Sequence, residues 1–430
     1  MWGITRYQWT VLFAAWLGWG FDVFDGLLFN YVAPNCIPTL LHLPVGSAAA
    51  RAATLYWTGV LTSLLLIGWA LGGVLFGYVC DRIGRMRTLM LTMLLYALGT
   101  AACAAATNLW MLVIFRLVAS LGIGGEWAAG ASMVAEVMPE KRRVEAGALL
   151  YTAAPFGLFL ATFLNYQVAG VWFAGNTEQS WRYVFLFGLL PAAAAFIVRF
   201  FVHEPERWQK ARASSNVALR DIFRGEHRHS TIMGAFTVVV ALIGWWSCNA
   251  FIPVVASGLA RASAEAQGLA ARATQDLIEN WKLTATVTFN LGGLVGTLLT
   301  IPLAKHFGRR VMFALYFGAS AAAILATFGL DMPAESRLYM FFLIGVPVFG
   351  VFGAFPFYLP ELFPTRLRAT GAGFCYNIGR VLASVGPFIV GAAAARGTAM
   401  QTIFYVGFAP LIGLLLAPLI IETRRRTLSD

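Results

Sequence analysis

The chain has 430 residues, 59% of them hydrophobic and only 12% charged. A soluble domain carries about 25% charged residues, so a soluble globular protein is excluded and a polytopic membrane protein is expected. The net charge of +11 does not indicate nucleic-acid binding, because the basic residues are spread over short loops in the manner of positive-inside topology.

A bilayer core of about 30 Å needs roughly 20 apolar residues per helix. Twelve such spans are predicted, near 9–33, 57–80, 88–106, 109–135, 146–170, 183–201, 231–257, 282–304, 311–330, 339–360, 369–394 and 401–421. The first is too long for the apolar core of a signal peptide, and no cleavage site follows it. With both termini inside, the inner loops hold Arg6, Arg82, Arg85, Arg87, Lys141, Arg142, Arg143, Lys305, Arg309, Arg310, Arg366, Arg368 and the basic stretch 203–230. Inner basic residues outnumber outer ones by about three to one, which sets the orientation. The polar stretch 203–230 divides the chain into an N-terminal six-span bundle, 1–202, and a C-terminal one, 231–430. The five cysteines and five histidines form no CxxC pair, metal-ligand spacing or nucleophile triad. No enzyme activity, metal or cofactor is expected.

The inner loops repeat. Gly77-Tyr-Val-Cys-Asp81-Arg82-Ile-Gly84-Arg85 lies between spans two and three, and Glu136-x-x-Pro139-x-x-Arg142 follows span four. In the second half Lys305-His-Phe-Gly308-Arg309-Arg310 lies between spans eight and nine, and Glu361-x-x-Pro364 follows span ten, before Arg366. A repeat of this kind implies two similar six-span bundles packed face to face. Glycine permits the tight turn. The arginines can bond helix-end carbonyls or the carboxylates Glu136 and Glu361, latching the inner face in one state; simple topology signalling is the competing reading. Lys305 stands where the first loop has Asp81, so the two latches are not equivalent.

Gly77 to Arg87 resembles the signature loop of the major facilitator superfamily, and Arg116-x-x-x-x-x-Gly122-x-Gly124 resembles its helix-four motif. His203-Glu204-Pro205-Glu206-Arg207-Trp208 and Pro360-Glu361-Leu-Phe-Pro364 are similar to elements after helices six and ten of the sugar porters. Phe21-Asp22-Val-Phe-Asp25-Gly26, Gly124-Gly125-Glu126-Trp127 and Tyr376-Asn377-Ile-Gly379-Arg380 resemble the organic-acid proton symporters: the sialate, aromatic-acid and metabolite groups. The resemblance covers nearly the whole chain. It implies an all-α membrane protein of twelve transmembrane helices in two pseudo-symmetric six-helix bundles, with both termini cytoplasmic.

Five ionisable residues lie deep in apolar spans: Asp22, Asp25, Arg116, Glu126 and Arg380. A charge at a span centre costs roughly 2.5–3.5 kcal/mol on insertion scales and marks ion or substrate pathways. At 1.5 Å per residue, Asp22, Asp25 and Arg116 reach similar depth in spans one and four, so an Asp–Arg pair is geometrically allowed. The resemblance implies that Arg116 with Asp22 or Asp25 forms a proton switch. Asp25 is favoured, because Phe24-Asp25-Gly26 is similar to the Tyr-Asp element of sugar porters. A static ion pair is the alternative. Glu126, about 15 Å along the helix from Arg116, is either a second proton site or a structural acceptor. Arg380 lies near the midplane, with Tyr376 and Asn377 on its face. Its guanidinium suits a substrate carboxylate, or pairs with one of the buried acids. Trp246, Asn249 and Asn290 are weaker pocket candidates.

The expected function is proton-coupled uptake of a small organic anion by a monomer in the bacterial inner membrane. A proton-independent facilitator of a sugar or other neutral solute, or a receptor without turnover, are the rivals.

Overall fold

The computed structural model describes residues 3–44, 47–173, 176–212, 219–225, 227–394 and 399–424, and every regular element among them is helical. Helix α1 (Arg6–Leu40) opens on a capping box, in which Thr5 and Gln8 exchange side-chain and backbone hydrogen bonds, satisfying two first-turn donors. It bends by 44° between Arg6–Gly26 and Tyr31–Leu40. Next come α2 (Ala48–Ile83), α3 (Arg85–Cys103) and α4 (Leu109–Val137), the last capped by Asn108. Span five is built from α5 (Arg143–Tyr151), α6 (Ala153–Asn165) and a π-helical stretch at Tyr166–Trp172. Then follow α7 (Thr177–Leu186), α8 (Leu190–Phe201) and α9 (Glu206–Arg212).

The second half comprises α10 (His227–Ala266), α11 (Ala271–His306), α12 (Arg309–Gly329), α13 (Ala334–Gly350), α14 (Phe355–Glu361), α15 (Arg368–Ala394), α16 (Ala399–Val406) and α17 (Phe408–Leu416). Among the described residues eight helices are long and apolar enough to cross a membrane, and the bent α1 makes up to nine. Predicted spans six and twelve fall on shorter pieces, α7–α8 and α16–α17, interrupted by single 3-10 turns or a loop residue. Predicted span eleven falls on α15. Large apolar side chains such as Leu71 and Phe159 are exposed, at 61% and 67%, while the intramembrane acids are buried. That inversion of the soluble pattern is what a lipid solvent requires.

The chain forms two compact units. One gathers Met1–Arg228 with Leu359–Asn377; the other gathers His229–Tyr358 with Ile378–Arg426. Each has the same internal seam. In the first, α2 and α4 touch backbone to backbone at Gly124, where an added Cβ would collide with the Trp69 carbonyl. In the second, α11 and α13 do so at Gly296, against the Val346 carbonyl. Close approach through glycine is how helices pack in lipid, where no hydrophobic drive exists between them. The core of the second unit includes Cys248, Ile252, Phe289, Phe341 and Val348.

Candidate proton and substrate sites

In the first unit α1 and α4 bring an acid and an arginine together. Asp25 Oδ1 and Arg116 Nη1 lie 3.5 Å apart, both buried. The guanidinium also donates to Thr100 Oγ1 at 3.3 Å, to the Asp25 carbonyl at 3.3 Å and to the Gly26 carbonyl at 3.5 Å. Those carbonyls stand just before the bend in α1. Arg116 therefore binds both the charge and the backbone of the same turn, a planar fork use that an ammonium cannot copy.

Asp22 lies about one turn before Asp25 on α1. Glu126 of α4 packs against α1 at Gly18, one turn before Asp22, and the two carboxyl groups interact. Glu126 is admitted to this position by Gly18, where an added Cβ would collide with Glu126 Oε1. The five buried charges thus separate into one pair, Asp25–Arg116, a second or inner pair nearer the start of α1, Asp22–Glu126, and Arg380, which is buried on the part of α15 that belongs to the second unit.

The signature loop forms a second cluster. Gly84, at φ +119°, turns α2 into α3, a conformation that disfavours any Cβ. Arg85 is fully buried and donates to Glu136 Oε1 at 2.8 Å, Asp81 Oδ1 at 2.7 Å, the Cys80 carbonyl at 3.1 Å and the Thr365 carbonyl at 2.7 Å. Arg368 donates to the same Glu136 oxygen at 2.9 Å. Asp81 accepts from the backbone N–H groups of Ala369 and Thr370, at 3.3 and 2.7 Å, and so caps the first turn of α15. Gly77 lets α2 approach there, since a Cβ would lie 2.8 Å from the Ala369 carbonyl. Trp208 donates to the Asp81 carbonyl at 3.0 Å. Arg82 points outward with its guanidinium over the Tyr78 ring, 4.3 Å from the centroid. Glu361 meets Arg143 at 3.5 Å, while Arg142 pairs with Glu145 at 2.9 Å. Arg366 is half-buried in a 3-10 turn.

Two glutamates that were not on the sequence-predicted site cap the helices after the glycine turns. Glu204 accepts from the backbone of Met86 and Arg87, at 3.2 and 3.0 Å, at the start of α3. Glu422 accepts from Arg309 and Arg310, at 3.0 and 3.1 Å, at the start of α12, and from Arg424 at 2.8 Å. Gly308 turns there at φ +87°. Arg309 itself donates to the Ala304 carbonyl at 3.2 Å and sits over the Phe357 ring. Burial alone would raise the Glu422 carboxyl, but the three N–H donors and the Arg309 charge outweigh it and hold it below the usual glutamate range.

Of the pocket candidates, Tyr376 stacks on Trp127, with centroids 4.0 Å apart and planes at 15°. Asn377 donates to the Gly373 carbonyl at 2.8 Å and fills the space over Gly73. Trp246 packs edge-on to Trp245 at 4.8 Å. Asn249 is half-buried on α10. Asn290 donates back to the Thr286 carbonyl of its own helix at 2.8 Å. In the second unit α15 meets α10 where Gly379 packs on Val238 and Leu242.

A family model described as Major Facilitator Superfamily matches residues 9–387. The chain belongs to the Major Facilitator Superfamily. It is 29% identical over 90% of its length to a putative metabolite transport protein of Haemophilus influenzae, covering 89% of that protein. It is also 29% identical to the cis,cis-muconate transport protein of Acinetobacter baylyi, with 79% of each chain covered. The solved proton:xylose symporter XylE has the same fold, at a TM-score of 0.77 and 19% identity with 98% of each chain covered. The protein is therefore a non-enzymatic, multi-pass transporter of the bacterial cell membrane.

Within this superfamily member, sequence reasoning missed Arg143, Arg368, Glu204, Glu422 and Thr100. Glu204 carried a signal, because it belongs to the His203–Trp208 element. Glu422 carried a weaker one, as the acid that directly follows the last predicted span. Arg368 had none that separates it from Arg366.

Proposed function

We propose that the protein is a proton-coupled symporter that takes up a small organic anion, a carboxylate, by alternating access of two six-span halves whose termini lie in the cytoplasm. The observation that carries the reading is the buried Asp25–Arg116 pair at 3.5 Å beside the bend of α1. Desolvation favours the neutral acid and a neighbouring arginine favours the ionised one, so any movement of α1 against α4 changes the proton affinity of Asp25. Movement of that kind is what alternating access demands. The relative named for cis,cis-muconate transport supports an anionic substrate. Arg380 serves as its carboxylate ligand, because a buried guanidinium in a spanning helix is a functional group by default.

Counterflow and gradient-driven uptake in proteoliposomes test this. Accumulation of a labelled carboxylate under an inward pH gradient is expected, and it collapses when the gradient is dissipated. Exchange that ignores the gradient identifies a facilitator, and binding without exchange identifies a receptor.

A further inference from the structure

One face of α3 carries Thr88, Thr92, Tyr96 and Thr100, spaced four apart and fully buried at 0%. Thr92 returns its hydroxyl to the Thr88 and Leu89 carbonyls. Thr100 receives the Arg116 guanidinium. The hydroxyls of Thr88 and Tyr96 have no hydrogen-bond partner among the described residues, and of the two only the Tyr96 phenol reaches beyond its own turn. A buried polar group without a partner is costly, so a partner is needed in some state of the molecule.

Packing decides which. Gly122 of α4 draws α3 in at Tyr96, since an added Cβ there would lie 2.7 Å from Tyr96 N and 3.0 Å from Tyr96 Cβ. Gly122 and Glu126 lie one turn apart on the same face of α4. Side chains on a helix lean toward its N-terminus, which carries the Tyr96 ring from the level of Thr100 toward that of Glu126. The charged groups that act on the hydroxyl are Asp22 and Asp25 from α1 and Glu126 from α4. Arg116 of α4 is held one turn away through Thr100. Asp25 already has Arg116, whereas Glu126 lies one turn along α4 from Gly122, the residue on which Tyr96 packs.

We propose that Tyr96 is the positioning residue of the inner proton site, donating its hydroxyl hydrogen to the Asp22–Glu126 pair when that pair loses its proton. This rests on the proton-coupled reading above. In the step the proton leaves the carboxyl pair, the phenol keeps its own proton, and its O–H replaces the lost donor. A phenol bonds an ionised carboxylate more strongly than a neutral one, so Tyr96 favours release of the proton.

The test is an infrared difference titration of the purified protein, following the protonated-carboxyl band. In Tyr96→Phe the midpoint of the inner pair moves up by about one pH unit, the size of one hydrogen bond to a charged group. In Glu126→Gln the band of the pair is replaced by that of Asp22 alone, and adding Tyr96→Phe does not move its midpoint. Fluorotyrosine placed at position 96, a stronger donor, moves the midpoint down. An unmoved midpoint in a folded Tyr96→Phe protein overturns the inference, as does an equal shift in the Glu126→Gln background. Proteoliposome uptake is read separately. Wild-type uptake that ignores the pH gradient sinks proton coupling while the titration still decides Tyr96.

Discussion

Arg368 donates to Glu136 at 2.9 Å although 232 residues separate them in the chain. Arg85 holds the same oxygen at 2.8 Å, and all three side chains are 0% exposed. One carboxylate therefore joins the end of α4, the start of α3 and the start of α15. Breaking a buried pair by removing one partner costs about 3–5 kcal/mol, because the remaining charge is left uncompensated. Glu136→Gln leaves two buried guanidiniums side by side. We expect its thermal unfolding midpoint in detergent to fall clearly and uptake to be lost. A midpoint equal to that of the wild type would show that the cluster contributes nothing to the folded state.

Arg366 and Arg368 are two residues apart and behave oppositely. Arg368 opens α15 and reaches Glu136, the Pro360 carbonyl and Thr365. Arg366 sits half-buried in the preceding turn. Arg368→Ala is expected to reduce initial uptake by about tenfold or more, since it uncovers part of a buried charge network. Arg366→Ala should leave uptake near the wild-type rate. The comparison is made at equal expression, and the reverse ranking would refute the assignment.

These two residues show what a sequence read alone can and cannot give. Helical spacing placed Asp25 and Arg116 at one depth, and the structure brings them to 3.5 Å. The glycine turns at Gly84 and Gly308 were legible because only glycine tolerates their positive φ. The partners of Glu136 and Glu361 were not, because spacing along a helix says nothing about neighbours from distant segments. Arg142 and Arg143 exemplify this. Both are basic and adjacent, but the helix phase turns Arg143 toward Glu361 and Arg142 toward Glu145. Depth and the family resemblance leave both Asp22 and Asp25 open as partners of Arg116; Asp25 is the one that pairs with it, while Glu126 packs one turn before Asp22, at Gly18.

Glu422 predicts a pH dependence of stability. Its carboxyl is held below the usual glutamate range in the folded state. A depressed native value means that the stabilisation is fully present above the unfolded value, about 4.3, and disappears as pH falls through the native one. Glu422→Gln should therefore lower the unfolding midpoint at neutral pH, and the gap from wild type should close as the pH falls from the unfolded value through the lower native one. A gap that is constant across that range would mean that the N–H bonds to Arg309, Arg310 and Arg424 carry no charge-dependent stability.

Asp25→Asn keeps the shape of the side chain and fixes it in the neutral state. If Asp25 carries the coupled proton, the variant exchanges substrate across the membrane but no longer accumulates it under a pH gradient. Arg116→Lys makes a different demand. The ammonium cannot reach the carboxylate, Thr100 and two carbonyls in one plane, so both exchange and accumulation should fall. Accumulation by Asp25→Asn at the wild-type level would move the coupled proton elsewhere, to the inner Asp22–Glu126 pair.

Arg380→Lys separates charge from geometry at the proposed anion site. Arg380 is 5% exposed on α15, one turn from Tyr376 and Asn377, which are engaged with Trp127 and with Gly373 and Gly73. Lysine preserves the positive charge and therefore membrane insertion, but it offers a point charge where a carboxylate is best held by two parallel N–H bonds. Uptake should fall by about tenfold or more, at unchanged expression, for the loss of one charge-assisted bond of about 1.5–3 kcal/mol. A thermal-shift screen across small carboxylates supplies the binding side of the comparison: ligands that stabilise the wild type should fail to stabilise Arg380→Lys. Should the variant transport normally while still binding the same ligands, Arg380 holds the helices together and the anion is received by another group.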